Sequence, residues 1–168
     1  MKKFFPFLFA LILISSCEES VEITASTTFV DTVEVSIPQS NGTDVTYDET
    51  TTQNLTELVS NYDDITDINI DSLSYTFTNL TGNSNAVITS ATVEINEIIV
   101  ATTSNLNIGQ EVTNETVVEI TDTALLNQLE NTFLTNSSVS IRFYGSASTE
   151  EGSVDFNVQV SIGLTATL

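Results

Sequence analysis

The sequence predicts a mainly β domain, folded as an antiparallel two-sheet β-sandwich with two short helices. The strongest observation is the alternation near the carboxyl end, where apolar residues fill nearly every second position over 139–147 and again over 154–168. Val and Thr are abundant, which favours strands, whereas the chain has only 6 Gly and 2 Pro. Many short strands separated by turns are typical of a sandwich or barrel. An open antiparallel α+β sheet with both helices on one face is the alternative.

The first part of the domain contains two strands and one helix. Residues 29–37 alternate as a strand with one solvent-exposed face, and 40–43 form a turn before a second strand. A helical period replaces the alternation over 52–62, which predicts an amphipathic helix of about three turns. The residues that carry this period are Leu55, Leu58, Val59 and Tyr62.

The middle of the chain is predicted as strands. Ile68 and Ile70 alternate in one phase and Leu73, three residues further on, starts the other, which indicates a β-bulge near Asp71 and Ser72. A turn over 82–85 follows. We expect long strands over 87–102 and 110–121.

A second helix is predicted over 121–136, with Asp122 or Thr121 as its N-cap. Leu126, Leu129 and Phe133 repeat the spacing of Leu55, Leu58 and Tyr62 at a distance of 71 positions. Each helix follows a strand and precedes a long hairpin, at Gly82 and at Gly152. An internal strand–helix–hairpin repeat and a coincidence between two ordinary amphipathic helices both explain the match.

The first 17 residues have the pattern of an export signal. Lys2 and Lys3 precede an apolar run over 4–14, which is too short to span a bilayer. Two small residues, Ser15 and Ser16, then precede Cys17, the single cysteine of the chain. The segment resembles the lipobox of bacterial lipoproteins, which implies that Cys17 receives a diacylglycerol and anchors the protein to a membrane.

Glu18 and Glu19 follow that cysteine directly. This resembles the acidic surface-export signal of Bacteroidota lipoproteins, which implies an outer-membrane lipoprotein exposed on the cell surface. The alternative is a lipoprotein that faces the periplasm. The predicted organisation is therefore a signal peptide over 1–16, a lipidated tether over 17–27 and a single β-rich domain over 28–168.

Charge and composition exclude several functions. Once Lys2 and Lys3 leave with the signal, Arg142 is the one basic residue against 23 acidic ones. Such a protein repels phosphate backbones, so we expect no nucleic-acid partner. The sequence contains no His, and after processing it contains no Lys and no unmodified Cys. Since the usual nucleophiles and bases are missing, we expect no enzyme activity.

The densest acidic stretch is the candidate metal site. Asp63, Asp64 and Asp67 offer hard oxygen ligands of the kind that Ca²⁺ prefers. The spacing from Asp67 onward departs from an EF-hand loop, with Ser72 in the place of the glycine and Thr78 in that of the last glutamate. No cofactor is expected apart from calcium at this site.

Three Asp-Ser/Thr-aliphatic triplets resemble the acceptor of Bacteroidota protein O-glycosylation, which implies modification at Thr32, Ser72 and Thr123. Chance matches in a chain rich in Thr and Asp are the alternative. Four tyrosines could stack on sugars, although core packing explains Tyr62 and Tyr75 better. Arg142 is expected to pair with neighbouring carboxylates rather than to hold an anionic ligand.

Three functions follow from these observations. The first is a lipid-anchored, non-catalytic interaction module or accessory subunit with an envelope protein or a glycan as partner. The second is a calcium- or glycan-binding surface protein. The third is a carboxylate-dependent hydrolase, which needs two acids converging in one cleft.

Overall fold

The computed structural model describes residues 24–55 and 65–168, which form two antiparallel sheets packed face to face. The predicted β-sandwich is confirmed, and a single open sheet is not what forms. The strands are β1 (Thr24–Ile37), β2 (Val45–Asn54), β3 (Asp67–Gly82), β4 (Val87–Ile95), β5 (Ile98–Thr103), β6 (Leu106–Asn107), β7 (Val117–Glu119), β8 (Ser138–Ser148) and β9 (Val154–Thr167). The helices are α1 (Ile108–Thr113) and α2 (Thr123–Thr135).

Three of the connections between the sheets lie together at one end of the sandwich. The first sheet has the order β1-β9-β3-β7, and the second has β2-β8-β4-β5 with β6 also paired to β4. The connections β1–β2, β3–β4 and β8–β9 each join one sheet to the other. We call their loops, residues 38–44, 83–86 and 149–153, the crossover end.

Hydrogen bonds hold the three crossovers side by side. The backbone N–H of Gly42 donates to the carbonyl of Thr149 (2.9 Å), and that of Asn83 donates to the carbonyl of Ser153 (3.0 Å). Thr149 is buried, and its hydroxyl accepts from the N–H of Ser40 (3.0 Å). Because the buried hydroxyl and backbone groups are paired, this polar end can close the core without stranded donors.

The opposite end carries the start of β1. Thr24 pairs with Thr167 of β9, which in turn pairs with Asp67 of β3. The first described residue and the carboxyl end therefore lie together, one strand length away from the crossover end.

Aromatic side chains from both sheets meet in the centre of the sandwich. Phe77 and Phe156 of the first sheet pack edge to face, with ring centroids 6.0 Å apart. Phe143 of the second sheet packs against both, at 6.1 and 6.3 Å, and stacks on Tyr47 at 5.2 Å. Such aromatic pairs stabilise the core beyond the area they bury.

Two predicted irregularities are confirmed. The pairing of β3 with β9 shifts between Ile70 and Ser72, where the change of apolar phase placed a bulge. Asp122 is the N-cap of α2, and its carboxylate accepts from the N–H groups of Ala124 and Leu125 at 2.9 and 3.2 Å.

Two strand predictions are wrong. The strand predicted over 87–102 is a hairpin of β4 and β5, because Asn96 and Glu97 adopt φ values of 47° and 67° and turn the chain. The strand predicted over 110–121 is the helix α1 followed by the short β7. Asn107 caps that helix with its side chain, which accepts from the N–H of Gln110.

The predicted repeat also needs correction. The segments joined at Gly82 and at Gly152 are not hairpins, since β3 and β4 lie in different sheets, as do β8 and β9. The first predicted helix starts too early at Thr52, because β2 continues to Asn54; most of it lies outside the described residues. At the other boundary, β1 begins at Thr24, within the segment predicted as tether.

Candidate interaction surface

The two lateral sides of the sandwich, where the sheets' outer strands face each other, differ in composition. On one side, which we call the closed side, α1 and α2 both pack against β3. Leu129 and Phe133 of α2 are fully buried. On the other, the open side, β1 and β2 run next to each other and no described helix covers them.

The open side is lined by polar residues at inward-facing positions. In β1, Asp31 occupies the phase of the buried Phe29 and Val33. In β2, the residues in phase with the buried Tyr47 are half-buried and polar. They are Glu49, Thr51 and Gln53. Hence the seam between the two edge strands carries carboxylates and amides where the rest of the interior is apolar.

Asp31 lies at the centre of this seam. One carboxylate oxygen, Oδ1, accepts from the N–H of Thr32 at 2.8 Å and from the hydroxyl of Thr51 at 3.4 Å. The other oxygen, Oδ2, is buried and has no hydrogen-bond partner among the described residues. A buried carboxylate oxygen without a partner is costly. This atom can accept a hydrogen bond from a donor that the described chain does not supply.

Arg142 lies on the outer face of the second sheet, and the predicted pairing with carboxylates is confirmed. Its Nε and Nη2 donate to the two oxygens of Asp48, at 2.7 and 2.6 Å, in a bidentate pair. Glu94 approaches Nη1 at 3.7 Å, and the guanidinium lies 4.4 Å from the ring centroid of Tyr144. The cation is thus engaged on three sides.

This pairing shifts the pKa of both Asp48 and Arg142. The hydrogen bond from Arg142 lowers the pKa of Asp48, partly opposed by desolvation, and the same bond raises the pKa of Arg142. In the core, burial raises the pKa of Tyr47, whose hydroxyl donates to the carbonyl of Ser90 at 3.0 Å. Burial also raises the pKa of Tyr75, and the charge of Glu111 adds to that shift. Core packing rather than sugar stacking therefore accounts for Tyr47 and Tyr75.

A shallow polar cleft of about 550 Å³ lies beside Arg142. Asn96 of the β4–β5 turn forms part of it and fixes β8, accepting from the N–H of Ser140 (2.7 Å) and donating to the carbonyl of Ser138 (3.2 Å). The cleft offers hydroxyl, amide and carboxylate groups. The lining residues are Thr50, Glu94, Asn96, Glu97, Asn136, Ser138, Ser140 and Arg142.

The candidate metal site lies only in part within the described chain. Asp67 is exposed at the start of β3, whereas Asp63 and Asp64 are outside the described residues. Within 24–55 and 65–168, no three side chains of His, Cys, Asp or Glu come together in a way that would hold a metal ion. The calcium site stays a prediction.

The three predicted glycosylation acceptors lie on three different elements. Thr32 is on the edge strand β1, and its N–H is bound by Asp31. Ser72 is exposed at the bulge of β3, beside a cleft of about 460 Å³. Thr123 is the first residue of α2, exposed. All three positions belong to regular elements rather than to flexible loops.

Cys17, Glu18 and Glu19 lie outside the described residues. Among the helices that the structure does describe, none has the length and hydropathy needed to cross a membrane.

Sequence reasoning missed the polar seam and the role of Asn96. The signal for the seam was present, because Asp31 interrupts an otherwise apolar phase between Phe29 and Val33. Its partner Thr51 is 20 positions away in a segment partly assigned to a helix. Comparison of the chain with protein-family models and with curated proteins returns no match.

Proposed function

We propose that the protein is a lipid-anchored, non-catalytic interaction module of a bacterial outer membrane, exposed on the cell surface. The observation that carries this proposal is the order of positive, apolar and small residues that ends at Cys17, the single cysteine of the chain. Two acyl chains on one cysteine hold a protein stably at a membrane, which a single chain does not.

The position of β1 supports an outward orientation of the domain. Only six residues separate Cys17 from Thr24, the first residue of β1. At about 3.5 Å per extended residue, they place the start of β1 within about 25 Å of the anchor. The crossover end lies at the far end of the same 14-residue strand, roughly 45 Å further along. It would face away from the membrane.

The charge distribution supports attachment through the lipid alone. Arg142 is already bound by Asp48 and Glu94, so the described domain has no unpaired cation to offer anionic headgroups. The many carboxylates would instead be repelled by them. A domain of this charge stands off the membrane and presents its surface to partners.

The inventory of side chains supports a binding rather than a catalytic role. The sequence has no His, and its single Cys is the predicted lipid acceptor. Polar surfaces such as the open side and the cleft beside Arg142 present hydrogen-bonding groups for recognition.

Metabolic labelling with an alkyne fatty acid tests the anchor. We expect the label on the wild-type protein and its loss in Cys17→Ala, together with a larger precursor that retains residues 1–16. Ser20→Ala, three positions further on, is the matched control and should stay labelled. Unlabelled wild-type protein, or a labelled Cys17→Ala variant, would refute lipidation at this residue.

Protease treatment of intact cells tests surface exposure. The protease must cut after acidic residues, because in the mature chain trypsin has a single site, at Arg142. We expect the domain to be removed without lysis of the cells. Full protection of the wild type would place it in the periplasm, whereas protection only after Glu18→Gln and Glu19→Gln would identify those residues as the export signal.

A further inference from the structure

The outer edge of β1 has the geometry of a strand acceptor. β9 pairs with one side of β1 over its whole length, and the other side has no strand neighbour among the described residues. Thr32 donates its N–H to its neighbour Asp31 rather than to β9, so its backbone groups point to the free edge. In an antiparallel pair, the backbone N–H and C=O groups of successive residues point alternately to the two edges of a strand. The even-numbered residues of β1, including Val30 and Glu34, therefore present their backbone groups at the same free edge as Thr32.

Asp31 marks the middle of this edge. Its Oδ1 occupies the outward N–H of Thr32, and its Oδ2 is buried without a partner in the described chain. Glu49 lies one inward position along β2 from Thr51, the other contact of Asp31. The edge therefore combines unpaired backbone groups with a carboxylate that lacks a counterion.

The described chain does not supply that counterion. Arg142 is its one cation, and it lies on the outer face of the second sheet in a bidentate pair with Asp48. A second copy of the chain would bring a like charge, which disfavours pairing of β1 with itself. Charge complementarity thus indicates a partner that is basic and extended.

We propose that the free edge of β1 binds an extended, Lys- or Arg-rich protein segment by strand addition. This inference rests on the proposed role as an interaction module and names the class of partner. A backbone carbonyl of the incoming segment replaces Asp31 as the acceptor for the N–H of Thr32. One basic side chain of the segment enters the seam between β1 and β2 and pairs with Asp31. Main-chain hydrogen bonds give affinity, and the inward carboxylate selects the cation.

A synthetic peptide of five Thr-Lys repeats is the probe. Its binding to the protein expressed from its complete sequence is measured by fluorescence anisotropy, and the amide NMR shifts of Val30, Thr32 and Glu34 report the site. We expect saturable binding that weakens about tenfold in Asp31→Asn, because a charge-assisted bond is lost. Glu34→Gln, which removes the same charge from the exposed face of the same strand, should change affinity less than about twofold.

A second peptide separates strand addition from charge attraction. It has the same sequence with every backbone amide N-methylated, so it keeps its charge but has no N–H to donate to a strand from either edge. We expect this peptide not to bind. Equal binding of both peptides, equal weakening by Asp31→Asn and Glu34→Gln, or no saturable binding up to about 1 mM would each overturn the proposal. Because these measurements report neither lipidation nor surface exposure, their failure leaves the labelling and shaving results unaffected.

Discussion

The closed and open sides of the sandwich differ in how they separate the apolar interior from water. Both are places where two sheets end and the apolar interior meets water. On the closed side, α2 covers the gap with Leu129 and Phe133 and satisfies β3 with a side chain, since Glu130 accepts from the N–H of Ile70 at 2.8 Å. On the open side, no described helix covers β1 and β2, and their inward positions are polar.

The difference shows which edge is available to partners. A long edge strand is a template for further pairing, and proteins protect such edges with charges and with inward-pointing charged residues. Asp31 has this position in β1, and Glu49 has it in β2. In the described part of the chain, helices protect the closed side, whereas polar and charged residues at inward positions protect the open side.

The largest expected effect is on the closed side. Phe133→Ala removes a fully buried ring and should lower the free energy of unfolding by about 3–5 kcal/mol. Thr51→Ala on the open side, which loses one long hydrogen bond, should cost less than about 1 kcal/mol. Urea unfolding followed by circular dichroism measures both.

Similar losses for the two variants would remove the distinction between the sides. A loss at Thr51 as large as at Phe133 would mean that the polar seam is as well packed as the core. The comparison requires that the slope of the unfolding free energy against urea concentration be the same in both variants, since this shows that their denatured states are comparable.

The next effect concerns the edge of β3. Glu130→Ala leaves the N–H of Ile70 without its acceptor beneath α2 and should lower the free energy of unfolding by about 1–3 kcal/mol. Glu119→Ala, at an exposed position of β7, is the matched control and should change it by no more than about 0.5 kcal/mol. Hydrogen exchange at Ile70 should accelerate in Glu130→Ala alone. Unchanged exchange would show that the helix does not protect this edge.

The elements that were predicted correctly are those whose pattern of neighbouring residues fits only one type of structure. The alternation in β8 and β9, the phase change at the bulge of β3 and the cap at Asp122 all depend on neighbouring residues. The β4–β5 turn was missed because Ile99 keeps the alternating phase of Ile95 and because a residue such as Glu97 rarely adopts a positive φ. The helix α1 was missed because β-branched residues such as Val112 favour strands.

The remaining features depend on contacts between distant residues. Which sheet receives β4 is decided by its pairing with β8, and the strand pattern itself contains no information about that choice. The seam depends on Asp31 facing Thr51, and the closed edge depends on Glu130 reaching Ile70 across 60 positions. Such contacts between distant residues could be identified only from the structure.

A smaller effect is expected when Asp31, the inward-pointing charge of the edge strand β1, is replaced. Asp31→Val deletes the unpaired buried oxygen, so the free energy of unfolding should stay constant or rise by up to about 1 kcal/mol. The same variant should associate more strongly at high salt, where repulsion between copies is screened. Sedimentation velocity at low and high salt measures this, with Glu34→Gln as the control. A variant that is clearly less stable and remains monomeric would contradict the protective role.

The smallest effect lies on the outer face of the second sheet, where the exposed pair of Asp48 and Arg142 is in contact with water. The hydrogen bond from Arg142 lowers the pKa of Asp48 in the folded protein, so the pair contributes stability above the ordinary pKa of an aspartate. That contribution disappears as the pH falls through the lowered pKa. A carboxyl-carbon NMR titration should therefore show Asp48 ionising at lower pH in the wild type than in Arg142→Gln. If Asp48 titrates alike in the two proteins, water screens the pair completely.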